Sequence, residues 1–218
     1  MTLPYAHTVV CAVCGTESEQ TGLLSTNTFG APDLDGRPAP MMRDTMKYWI
    51  HECPGCGYCA GDLGRAAPGT EQVVRSDEYQ MLLRNSSVPQ LARRFLARAH
   101  IVDQGRPATE DLVSMMLAAI WDCDDNGASA KASTLRVKTA CYLDELLHSG
   151  RAMAADDPSS GFILMADLYR RAGGFDEAEL AVRIGLERVR SDLHRRLLEF
   201  ELRLIQARDD AAHRCDEA

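Results

Sequence analysis

The 218-residue chain has no run of the roughly 18 apolar residues that a membrane helix requires, which excludes a helical span. It also lacks a basic excess. Its 24 Lys and Arg stand against 32 Asp and Glu, a net charge of -8. A generic nucleic-acid binder needs a cationic surface, so the composition speaks against a nucleic-acid partner. Residues 1–13 contain no Lys or Arg ahead of their short apolar run and do not read as a signal peptide. The chain is therefore expected to be cytoplasmic. Low-complexity and collagen-like patterns are missing too. What is present is an ordinary globular mixture, 45% apolar and 26% charged, which is enough to build a buried core.

Eight cysteines raise the question of a disulfide scaffold, but their placement argues otherwise. Cys11, Cys14, Cys53, Cys56 and Cys59 cluster near the start, whereas Cys123, Cys141 and Cys215 are scattered through helical sequence. In a reducing compartment, clustered cysteines read as metal ligands and scattered ones as small apolar fillers. The composition also divides the chain. Residues 1–66 are rich in Gly, Pro, Thr and Asp, and residues 70–218 in Ala, Leu, Arg and Glu. The glycine-rich stretch 61–69 is the expected boundary between two domains. Lys and Arg number 4 against 7 Asp and Glu up to residue 66, and 20 against 25 beyond it, so neither part is basic.

Cys11-Ala-Val-Cys14-Gly15 and Cys53-Pro-Gly-Cys56-Gly57 share one grammar. Two cysteines three apart can turn both sulfurs into one concavity, and the glycine after the second permits a left-handed backbone turn. Two such knuckles supply four thiolates, the donor set of tetrahedral Zn²⁺. A site closed by Cys11, Cys14, Cys53 and Cys56 leaves no open position for water, so the zinc is expected to be structural. The 38 residues from Gly15 to Glu52 exceed the usual zinc-ribbon gap and imply an insertion. Short strands are expected before each knuckle, at 8–11 and 46–51.

Cys59 lies three residues beyond Cys56 and offers an alternative pairing. Otherwise it is a buried thiol packed on the site, or a redox-active thiolate beside the metal. His7 and His51 lie near the knuckles as substitute ligands or as packed side chains. The insertion, residues 18–46, carries Asp33, Asp35, Arg37, Arg43 and Asp44 within 12 residues. Such a cluster can hold a substrate or a second metal such as Mg²⁺. Equally, Asp–Arg pairs can pin the loop, with Pro32, Pro38 and Pro40 stiffening it. No nucleophile–base pair accompanies the cluster, so catalysis is the secondary reading.

Helices are expected at 76–84, 89–103, 107–124, 130–148, 159–171, 176–189 and 191–208. Pro89 suits a first turn, Thr109 an N-cap, Asn126-Gly127 a stop and Gly150 another. The acids of Cys123-Asp124-Asp125 oppose the dipole at a helix C-terminus, which calls for a tertiary partner such as an arginine. Met115, Met116 and Trp121 read as core. Within 159–190, Phe162, Met165, Ala166, Tyr169, Gly173, Phe175, Ala178, Val182 and Gly185 follow the order of a tetratricopeptide repeat, with Arg190 where that repeat has proline. One unit cannot bury its own face, so the neighbouring helices must complete the stack. The last helix carries Leu193, Leu197, Phe200 and Leu204 on one stripe. Its Arg195, Arg196, Glu199 and Arg203 form either a solvated face or a groove for an acidic peptide.

The run from Phe29 to Pro38, Met42-Arg-Asp-Thr-Met, Tyr48-Trp49, Cys53-Pro-Gly-Cys-Gly-Tyr58 and Ala119 to Asp125 resemble a bacterial family of unknown function. That resemblance implies a metal-binding head on a tetratricopeptide-like tail, and it brings no catalytic residues. The expected fold is thus mainly α, a small zinc-ribbon-like β/loop domain followed by an antiparallel, tetratricopeptide-like helical array. The expected function is a cytoplasmic scaffold with structural zinc and a protein or peptide partner on its helical region.

Overall fold

The chain opens as a hairpin, β1 (Leu3–Val10) against β2 (Glu17–Ser25), with His7 opposite Gln20 and Val9 opposite Ser18. The computed structural model describes residues 2–104, 107–149 and 157–218. The strand expected at 8–11 is longer toward the N-terminus and ends at Val10. Its partner takes up the first third of the segment read as an inserted loop.

The strand expected at 46–51 is corrected. Residues Arg43–Tyr48 form a 3-10 helix, and only His51–Glu52 (β3) extends, pairing with Cys59–Ala60 (β4). The apparent alternation there misled because Met46 and Ile50 are the buried apolar positions, a helical spacing of four. Local hydrogen bonds hold the turn. The Thr45 hydroxyl donates to the Met42 carbonyl at 2.7 Å and itself accepts from Trp49 Nε1 at 2.9 Å.

From residue 70 onward the chain is helical: α1 (Thr70–Val74), α2 (Asp77–Arg84), α3 (Gln90–Asp103), α4 (Glu110–Asp125), α5 (Ser129–His148), α6 (Ser160–Arg171), α7 (Phe175–Arg188) and α8 (Asp192–Gln206). All the expected helices are present. The five-residue α1 is too short to show a period and was not anticipated. Side-chain caps fix three starts: Ser76, Thr109 and Ser191 accept from the amides of Tyr79, Leu112 and His194. Pro89 sits at the N-cap of α3, one place ahead of the first turn. The stop expected at Gly150 lies outside the described residues. Successive helices pack on one another from α3 through α8. Gly185 of α7 lets this happen closely, because a Cβ there would lie 3.0 Å from Phe162 Cβ of α6 and 2.9 Å from Leu198 Cδ2 of α8.

The buried apolar cluster runs from Cys11, Tyr58 and Leu63 through Tyr79 and Phe95 into Trp121, Leu168 and Leu198, on both sides of residues 61–69. The last ten residues return to the head. Leu34 N–H donates to the His213 carbonyl and Cys215 N–H to the Pro32 carbonyl, each at 2.9 Å. Among the described residues no helix is long and apolar enough to cross a membrane.

Candidate metal-binding site

Each knuckle is built by the same backbone turn. Cys11 N–H donates to the Thr16 carbonyl at 2.9 Å and Gly15 N–H to the Cys11 carbonyl at 2.9 Å. In the second, Cys53 N–H donates to Tyr58 at 2.8 Å and Gly57 N–H to Cys53 at 2.9 Å. The turn requires a left-handed residue, and Gly15 and Gly57 supply it at φ +76° and +77°. The Val13 amide donates to Cys11 Sγ at 3.4 Å, the amide–sulfur contact that the turn frees.

The two turns face each other. Cys11 Sγ lies 3.8 Å from Cys56 Sγ, and Cys14 Sγ 3.6 Å from Cys53 Sγ. All four sulfurs fall within 4.8 Å of one another, a set that can hold a metal ion. Cys11 and Cys53 are buried, while Cys56 is partly covered and Cys14 exposed, so the site lies at the edge of the core. The thiols feel different surroundings. Hydrogen bonds from the Thr16 side chain and backbone lower Cys14 to about 6. Burial raises Cys53 and Cys56, which makes their bare thiolates costly without a cation nearby.

Among the described residues no histidine belongs to the sulfur cluster. His7 stacks on Tyr5 with ring centroids 5.1 Å apart, and burial lowers the pKa of His51. Cys59 is fully buried just behind the second knuckle. Its thiol donates to the Gly57 carbonyl at 3.4 Å, and burial pushes its pKa up to about 12. Both features work against a thiolate at neutral pH. Tyr79 of α2 completes this packing: its hydroxyl accepts from the Cys59 amide at 3.1 Å and donates to Gly57 at 2.9 Å. Glu52, beside the second knuckle, pairs with Arg94 of α3 at 3.0 Å.

The charged residues of the loop do not converge on one pocket. Arg43 bonds Asp33 at 2.8 Å and the Pro38 carbonyl at 2.8 Å, while Asp44 stays exposed. Arg37 pairs with Asp125 at the end of α4. Asp35 is buried and accepts from Trp121 Nε1 at 2.9 Å and from Arg171 at 2.8 Å. Arg171 also bonds Asp124 at 2.8 Å, and Arg136 of α5 bonds the same carboxylate. The acids that oppose the α4 dipole therefore have the arginine partners their position calls for.

The sequence reading did not find Arg136, Asp167, Arg170, Arg171 or Glu201. A signal existed for one of them: Glu201 interrupts the apolar stripe of α8 between Leu197 and Leu204/Ile205, and it is fully buried. Comparison of the chain with family models, with curated proteins and with solved structures finds no match. Of what the resemblance implies, the structure has a four-cysteine cluster and a helical C-terminal region.

Proposed function

We propose that Cys11, Cys14, Cys53 and Cys56 hold one zinc ion as a structural clamp on the head, and that the braced helical region is a scaffold for a protein or peptide partner. One observation carries the reading: two matched turns aim four sulfurs at a common centre. A regular tetrahedron with metal–sulfur bonds of about 2.3 Å has sulfur–sulfur edges of about 3.8 Å. The facing pairs lie at 3.8 and 3.6 Å. Bound zinc would deprotonate all four thiols and offset the burial that raises Cys53 and Cys56. With four sulfurs around it, no position remains for a reacting water, which favours a structural over a catalytic metal.

The scaffold reading rests on the close-packed pair α6–α7, whose small and aromatic residues follow tetratricopeptide order, and on exposed Leu180 and Leu193 beside it. The acidic head favours a protein over a nucleic acid as partner, and zinc thiolates with separate free cysteines suit a reducing, cytoplasmic setting.

The test is metal content and thermal unfolding of the full chain, its C14S/C53S variant and its C59A variant. Wild type and C59A should carry one zinc per chain. C14S/C53S should lose it and melt lower. Unchanged metal in C14S/C53S would defeat the assignment. For the partner, a protein captured by the full chain should be lost on Leu180→Glu with Leu193→Glu, and retention would count against this face.

A further inference from the structure

Helices α3, α4 and α5 enclose a pocket of about 210 Å³. Leu96, Met116 and Leu135 give it an apolar floor. Its rim carries Arg93, Lys131, Lys138 and His100. Among the described residues the only acid lining it is Asp103, already engaged by the Tyr142 hydroxyl and by Lys138 at 4.0 Å. Neither Arg93 nor Lys131 has an ion-pair partner among the described residues. Arg93 is held in place through Nη1, which donates to the Leu83 carbonyl at 2.6 Å, while its Nε has no acceptor among the described residues. In a chain of net charge -8, a local cationic excess over an apolar floor is a departure from the rest of the molecule.

We propose that this pocket binds a small organic anion, a carboxylic acid with a short apolar body. The chemistry follows from the lining. Ligand sites combine an apolar floor with a few polar groups that fix orientation. Here the charged groups are Arg93, Lys131 and Lys138 against the single acid Asp103, so an anion is recognised and a neutral or cationic isostere is rejected. The size follows from the volume: at about 30 Å³ per water the space equals roughly seven waters, room for a carboxylate on a short chain. Arg93 brings a fixed guanidinium charge, its Nη1 already given to the Leu83 carbonyl, and Lys131 and Lys138 add charge from the α5 side. The site shares no residue with the cysteine cluster and does not depend on the zinc reading.

Isothermal titration of the full chain with hexanoate, hexanamide and hexylamine tests it. Hexanoate is expected to bind, and the other two to bind at least about tenfold more weakly. K131Q/K138Q, which removes both charges while keeping long polar side chains, is expected to weaken hexanoate about fivefold. T134W, which places a ring at the exposed mouth, is expected to abolish it. Equal binding of hexanamide, absence of hexanoate binding, or wild-type affinity in both variants would overturn the proposal.

Discussion

Asp35, in the loop ahead of the second knuckle, accepts a hydrogen bond from Arg171 at the end of α6, 2.8 Å away and 136 residues later in the chain. The same guanidinium reaches Asp124 of α4, and Trp121 of α4 donates to the same Asp35 oxygen. The loop is thereby seated against the C-terminal ends of two helices. Each arginine added to those ends also complements a helix dipole. Buried charge of this kind contributes less to net stability than to fixing one arrangement, because desolvation opposes the attraction.

Removing the shared guanidinium should expose that balance. Arg171→Met leaves two carboxylates facing each other without it. Breaking a buried pair from one side costs about 3–5 kcal/mol. Urea unfolding followed by Trp49 and Trp121 fluorescence should show a loss of that size. A variant within about 1 kcal/mol of wild type would show that the loop is held by other contacts.

Arg170 lies in a second buried group, with Asp167 at 2.6 Å and Glu201 at 2.8 Å. Burial first, and then neighbouring carboxylates, push Glu201 up to about 8 and Asp167 up to about 6. Between the ordinary value of 4.5 and about 8, the folded chain keeps a proton on Glu201 that the unfolded chain has lost. Stability from this group is therefore greatest below pH 4.5, falls as pH rises through that interval, and levels off above it. Glu201→Gln removes the dependence. From pH 5.5 to 8, wild type should lose at most about 3 kcal/mol more than the variant in urea titrations. Parallel pH profiles would contradict a raised Glu201.

The two knuckle glycines differ in their surroundings, although their backbones match. A Cβ on Gly15 meets nothing within 4 Å, whereas on Gly57 it falls 2.8 Å from Leu83 Cδ1 of α2. Gly15→Ala should cost only the left-handed backbone, roughly 1–2 kcal/mol. Gly57→Ala should cost about 1 kcal/mol more, because Leu83 must move. Thermal unfolding and the rate of metal loss to a chelator should rank the variants in that order.

The C-terminal tail is a clasp. Arg170 Nη1 donates to the Asp209 and Ala211 carbonyls at 2.7 and 2.9 Å, and His213 and Cys215 bond the head loop. A chain ending at Arg208 loses these acceptors and leaves buried donors without partners. Each such donor costs about 1–3 kcal/mol, so a sharp fall in melting temperature is expected. An unchanged melting temperature would make the tail passive.

Local signals exposed the helices and the cysteine pairs. Thr109, Ser76 and Ser191 are caps whose chemistry acts within three residues, and Cys-x-x-Cys-Gly is a turn that carries its own backbone requirement. The segment 43–50 misled because its apolar residues fit two periods, and the Thr45–Trp49 hydrogen bond, absent from any pattern, chose the helical one. Arg170 and Arg171 passed unnoticed because an arginine's partners may lie anywhere along the chain. Only Glu201, set among leucines, betrayed a buried polar group.

The amino-acid order alone determined where the chain turns, which stretches coil, and that two sulfur pairs of like shape would be presented. Those outcomes depend on backbone preferences and contacts a few residues apart. Tertiary packing decided that the pairs face each other, that the Asp35 loop rests on α4 and α6, and that the tail closes over it. Such choices depend on charges and carbonyls from distant segments meeting in one low-dielectric space, where a partner more than a hundred residues away counts as much as an adjacent one.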